Sequence, residues 1–133
     1  MPTGEIEKSE KITINLGPVD LGQIDLLVAE GFYANRTDFI RSAIRAQLAT
    51  RAAAVDQTVA RRTLTLGTLT LTRHELEELQ RAGRTVEIRV LGLATIAPDV
   101  SPELALATVS VVEVLGAFRA SPAVKAALAA RTV

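Results

Sequence analysis

Residues 10–16 read Glu10-Lys11-Ile12-Thr13-Ile14-Asn15-Leu16, a strict alternation of apolar and polar side chains. An extended chain therefore places Ile12, Ile14 and Leu16 on one face and Lys11, Thr13 and Asn15 on the other, which predicts a half-exposed strand. Gly17-Pro18 breaks the pattern and puts a proline where a helix can begin. From Val19 onward, Leu21, Ile24, Leu27 and Val28 follow helical spacing, and Gly31 stands where a left-handed cap would end that helix. A second helix is expected from Asn35, an N-cap residue three positions before Asp38, whose carboxylate also suits the helix dipole. Its apolar stripe is Phe39, Ile40, Ala43, Ile44 and Leu48, with Arg41 and Arg45 on the wet side. Residues 49–62 hold no Gly or Pro and are expected to prolong this helix to Arg61-Arg62.

A lone strand has two unpaired edges, and with two short helices it has too little core to fold unaided. Pairing with a second copy repairs both defects. Two antiparallel copies of the strand form a ribbon whose inner face covers the helices of both chains, so Ile12, Ile14, Leu16, Phe39, Ile40 and Ile44 are expected to build a shared dimer core. The outer face then carries Lys11, Thr13 and Asn15, and a two-stranded ribbon fits the major groove of B-DNA. Lys can donate to guanine O6 and N7, Asn can pair with adenine N6 and N7, and Thr can touch a base edge or a thymine methyl. At the start of the second helix, Asn35, Arg36 and Thr37 are the expected phosphate contacts: free backbone N–H groups, the positive dipole end and the arginine charge converge there. Such contacts set register and do not read sequence.

The stretch Phe32-Tyr33-Ala34-Asn35-Arg36-Thr37-Asp38-Phe39-Ile40-Arg41-Ser42-Ala43-Ile44-Arg45 resembles the entry to the second helix of the ribbon-helix-helix DNA-binding proteins of the MetJ, Arc and CopG type. Asn35, Thr37 and Asp38 replace the Ser, Ser and Glu usual in that family, and each keeps the capping chemistry. The resemblance covers residues 10–48 and implies a homodimer bound to a double-stranded DNA operator. It does not extend to nickel sensing, which in that family needs a cluster of His and Cys.

Beyond the second helix the chain carries a degenerate repeat. Leu66-Gly67, Leu91-Gly92 and Leu115-Gly116 recur at spacings of 25 and 24 residues. β-rich runs precede them, at residues 63–66, 86–91 and 109–115; Leu64, Leu66, Leu69 and Leu71 present an apolar strand at one end of the repeat, and Val111, Val112, Val114 and Leu115 one near the other. Helix-start signals follow at Thr72, Ser101 and Ser121, with a short insertion around Asp99 in the middle copy. Leu76 and Leu79, Leu104 and Ala105, and Val124 and Leu128 form small stripes able to pack on strands. A strand and a short helix every 25 residues suggest a leucine-rich-repeat-like α/β solenoid, beside the plainer reading of a small α+β domain. End repeats need polar caps or a neighbour, so association through an exposed strand or apolar face is expected.

Composition narrows the chemistry. The 133 residues include no cysteine and one histidine, His74, so neither a disulfide, a thiolate nor a multi-histidine metal site can form within one chain. His74 falls in the first turn of a predicted exposed helix, without a Ser-His-acid order, a phosphate loop or paired carboxylates around it, and no enzyme activity, cofactor or metal is expected. Asp99, Glu103 and Glu113 fit a loop, a helix first turn and a strand face better than a metal group. The four aromatics, Phe32, Tyr33, Phe39 and Phe118, leave the core to Leu, Val, Ile and Ala. Net charge is zero overall; residues 1–50 carry five basic and seven acidic groups, a balance of −2 that residues 51–133 offset. Nucleic-acid contact must then be local and geometric. No apolar run reaches bilayer length and residues 1–15 do not form a signal peptide, so a cytoplasmic, nucleoid-associated protein is expected.

These observations predict an α+β chain: a flexible arm at 1–9, a ribbon-helix-helix domain at 10–48, a helical linker at 49–62, and a strand-helix repeat domain at 63–133 that joins dimers into a larger oligomer or binds a protein partner. The expected function is a sequence-specific transcriptional repressor. An antitoxin using the same DNA-binding module is the alternative, and an assembly protein using the ribbon only to dimerise is a third.

Overall fold

A computed structural model describes residues 9–133, so the expected arm at 1–9 lies outside the described residues except for Ser9. The described chain divides into two compact units, residues 9–57 and 58–133.

In the first unit, residues 9–17 run without regular secondary structure. The expected strand is therefore not formed within one chain, because a strand exists only through backbone bonds to a neighbour. Helix α1 spans Pro18–Ala29, with the proline in its first turn. It ends in a Schellman motif: the Phe32 N–H donates to the Leu27 carbonyl at 3.0 Å and the Gly31 N–H to that of Val28 at 3.1 Å, with Gly31 at φ +85°. Helix α2 spans Arg36–Thr50. The helix expected to run on through 62 is interrupted at Arg51, whose N–H donates to the Leu48 carbonyl, and α3 resumes over Ala52–Arg62. The Thr50 hydroxyl donates to the Gln47 carbonyl at 2.6 Å, one of the local side-chain bonds that compete with a continuing helix.

The second unit is a three-stranded parallel sheet of β1 (Thr65–Leu71), β2 (Val86–Ile96) and β3 (Val109–Arg119), in the order β1-β2-β3. Parallel neighbours require crossovers, supplied by α4 (Arg73–Arg81) and α5 (Pro102–Thr108); α6 (Pro122–Ala127) follows β3. The predicted caps start these helices. Thr72 forms a full capping box with Glu75, while Ser101 and Ser121 accept from the N–H groups of Leu104 and Val124 at 3.1 and 3.2 Å. Leu76, Ala105, Val124 and Leu128 on the helical side are fully buried against Ile88, Val90, Ala94, Ile96, Val109 and Val112 of the strands. This aliphatic core holds the unit together.

The strands do not stop at the Leu-Gly pairs. Each runs through its glycine, and the register aligns Gly67, Gly92 and Gly116 in one row, flanked by a row of Leu66, Leu91 and Leu115. All three glycines adopt positive φ, +121°, +140° and +121°. A Cβ at Gly92 would lie 2.1 Å from the Gly67 carbonyl oxygen, and one at Gly116 would lie 2.2 Å from that of Gly92. Glycine kinks the strand where β-rich residues would otherwise continue straight, and lets neighbouring backbones nest at the kink. On the face away from the helices, Glu113 is almost completely buried and accepts hydrogen bonds from Arg62 and, at 3.0 Å, from Arg89. These bonds, that from Arg62 foremost, hold its carboxyl below the ordinary value despite burial, which acts the other way.

Candidate nucleic-acid interface

The residues that carry the expected DNA chemistry all fall in the first unit. Lys11, Thr13 and Asn15 are exposed, as their alternation requires. Their apolar alternates are exposed as well: Ile12 is 75%, Ile14 58% and Leu16 41% accessible. Within residues 9–57 only Ile24 is buried, and α2 has no buried residue at all. Phe39 and Ile40 are half-buried and Ile44 is 46% exposed. Covering each of these large side chains would contribute about 1.5–3 kcal/mol. The extended segment lies beside α2, and Ile12, Ile14, Ile40 and Ile44 line a groove of about 430 Å³ between them.

The turn between α1 and α2 is built from local bonds and one aromatic pair. Tyr33 and Phe39 meet edge to face, with centroids 5.0 Å apart. Asn35 caps α2 by accepting from the Asp38 N–H at 2.8 Å, and the Asp38 carboxylate accepts from the Ala34 N–H at 2.9 Å. Among the described residues, the N–H groups of Arg36 and Thr37 have no acceptor, which leaves the first-turn donors that an anion could use.

Arg36 itself is engaged. Its Nε and Nη2 donate to the two carboxylate oxygens of Asp25 on α1, at 2.7 and 2.9 Å, a two-pronged pair that ties the helices together. The pair lowers the Asp25 pKa and raises that of Arg36. The sequence points to Arg36 but not to its partner, eleven residues away on another helix. Arg41 and Arg45, on the wet side of the helical stripe, line a shallow depression at the start of α2 together with Asn35 and Thr37. The signal was present as the four-residue spacing of Thr37, Arg41 and Arg45, which puts them on one helical face.

Elsewhere, His74 is exposed at the start of α4, and Asp99 lies 3.7 Å from Arg73. Among the described residues no cluster of three metal-ligating side chains occurs, and no helix is long and apolar enough to cross a membrane.

No curated protein and no solved structure matches the chain significantly. A family model does, over residues 7–125, and it describes a ribbon-helix-helix transcriptional regulator family. With most of its length matched, the chain belongs to the ribbon-helix-helix transcriptional regulators, a family whose members bind DNA and typically dimerise.

Proposed function

We propose that the chain is a homodimeric, sequence-specific repressor that inserts a two-stranded ribbon into the major groove of a double-stranded operator. The observation that carries this reading is the pairing of exposures in residues 11–16. Ile12, Ile14 and Leu16 need a second copy to cover them, and covering them with an antiparallel partner turns Lys11, Thr13 and Asn15 outward together. Those three side chains read bases, and the start of α2 at Asn35, Arg36 and Thr37 holds the phosphate backbone, with Arg41 and Arg45 adding charge beside it. Ile12, Ile14, Leu16, Phe39, Ile40 and Ile44 form the dimer core. The protein works on DNA in the cytoplasm, at the nucleoid.

Residues 63–133 multiply these units by self-association. An antitoxin would employ the same DNA-binding module, but antitoxin tails commonly fold only on their toxin. The buried core around Leu76, Val90 and Val112 favours the regulator over such a tail.

Sequencing DNA fragments recovered with the purified protein tests the reading. The expected result is a short shared motif with two-fold symmetry, as a two-fold ribbon demands. Fragments without a common motif would overturn sequence-specific reading, and absence of bound DNA at low salt would leave only the dimerising role.

A further inference from the structure

We propose that the open edge of β3 in one molecule docks on the open edge of β1 in a second, parallel and in register, so that the glycine row continues from molecule to molecule. The proposal rests on the self-association assigned above to residues 63–133 and names its surface.

Both halves of the joint are present on one chain. At Gly92 and Gly116, the space a side chain would take is filled by the glycine carbonyl of the preceding strand. Gly67 has the same backbone conformation, with the φ of +121° also found at Gly116, and nothing lies within 4 Å of its Cβ position. β1 therefore presents the receiving half of the nest at the sheet edge. β3 presents the giving half, because the repeat that aims the carbonyls of Gly67 and Gly92 at the next strand aims that of Gly116 outward.

Among the described residues no strand pairs with the outer edge of β1, and the outer edge of β3 is bridged only at Val112. Edge strands that stay single are usually guarded by charge or proline; Thr65–Leu71 contains neither, and along residues 114–120, which would face it, the one charged side chain is Arg119. Setting Gly67 of the second molecule against Gly116 places its Leu66 beside Leu115, which extends the leucine row already formed by Leu66, Leu91 and Leu115. Leu66 and Leu115, 62% and 44% exposed, gain cover there.

The lengths also fit. On the β3 edge, Thr132 bridges Val112 and the Val133 N–H donates to the Val112 carbonyl at 2.8 Å. A docked β1 would begin with Thr65 opposite Val114, beyond that bridge. β1 lacks the leading residues that β2 has at 86–89, so the C-terminal segment and the incoming strand occupy successive lengths of one edge. An antiparallel joint of two β1 or two β3 edges would reverse one row of kinks and lose the nest.

Such a contact is head to tail and propagates until it closes into a ring. Joined to two-fold dimerisation at the N-terminal unit, it assembles dimers into arrays, and neighbouring ribbons then meet tandem operators at raised effective concentration.

The chain contains no cysteine, which makes disulfide trapping clean. Thr68 and Ala117 align with Leu93 from opposite sides, two strand spacings apart, or roughly 9–10 Å. That is beyond the reach of about 7 Å for a disulfide within one molecule, whereas the proposed joint puts them on adjacent strands. On mild oxidation, full-length protein carrying both Thr68→Cys and Ala117→Cys should give a ladder of covalent dimers, trimers and longer species. A mixture of the two single variants should stop at dimers, and each single variant alone should remain unlinked. In the cysteine-free chain, Leu66→Lys should lower the light-scattering mass to that of the dimer. Crosslinking of Thr68→Cys alone, or of Ala117→Cys alone, would overturn the proposal in favour of an antiparallel joint. No ladder from a folded double variant, while the unsubstituted chain stays larger than a dimer, would overturn this surface and leave self-association standing. A chain that never exceeds a dimer would remove both.

Discussion

Arg36 grips Asp25 with two parallel hydrogen bonds of 2.7 and 2.9 Å, joining the first residue of α2 to the body of α1. The pair is exposed, so its contribution to stability is small, but it fixes where one cation stands beside the open first-turn N–H groups. A guanidinium has five donors and Asp25 takes two of them. If the rest meet a phosphate, Arg36→Ala should weaken specific and random DNA alike and flatten the salt dependence by about one unit. Titrations at several salt concentrations measure this; an unchanged slope restricts Arg36 to holding Asp25.

Replacing Asn15 or Lys11 by Ala should behave in the opposite way. The loss should be about 1–3 kcal/mol at the operator and little on random sequence, because a base contact contributes discrimination more than attraction. Competition binding with both DNAs decides it, and equal weakening would move these side chains from bases to phosphates.

Ile14→Asp probes the shared core. Ile14 is 58% exposed in the single chain, so a carboxylate there should cost little unless a partner buries it. The expected outcome is loss of the dimer by sedimentation, together with loss of the concentration-dependent melting that the unsubstituted protein should display. A DNA-binding dimer retaining Asp at this position would reverse the inside and outside faces.

Two glycines of the same row should respond unequally to alanine. Both Gly67→Ala and Gly92→Ala pay for a positive φ, about 1–3 kcal/mol. Within one molecule only Gly92 gives a new Cβ that collides with backbone, 2.1 Å from the Gly67 oxygen, so in protein diluted below its assembly concentration Gly92→Ala should lower the denaturation midpoint of the repeat unit considerably more. Equal midpoints would mean that β1 and β2 can separate at the kink without cost.

The buried carboxylate of Glu113 makes the repeat unit sensitive to acid. Hydrogen bonds from Arg62 and Arg89 hold its pKa below the ordinary glutamate value in the folded chain. A lowered folded value means the unfolded state binds the proton more readily, so this stabilisation is present above the unfolded value and is lost as pH falls through the folded one. Glu113→Gln should be less stable at neutral pH and approach the unsubstituted protein in acid. Parallel denaturation curves at pH 7 and pH 3 check this, and a constant gap between them would deny Glu113 the role.

Side-chain caps act over three residues, which is why Asn35, Thr72, Ser101 and Ser121 could be recognised in the sequence and start helices in the fold. The alternation of residues 10–16 was legible for the same reason, since the period of an extended chain is a local property. The Leu-Gly spacing of 25 and 24 likewise announced three strand-helix units. It did not disclose that β2 and β3 run on through their glycines to Ile96 and Arg119, because a glycine reads as a strand end until a neighbouring backbone is seen to occupy the space it leaves. Nor could it join Arg36 to Asp25 across eleven residues, or Arg62 to Glu113 across fifty-one. Those pairs depend on how helices and strands are brought together, so the tertiary structure alone decided them. The sequence marked where the capped helices begin and which of their faces are apolar; the close approach of backbones then settled the register of the sheet and the partners of its charges.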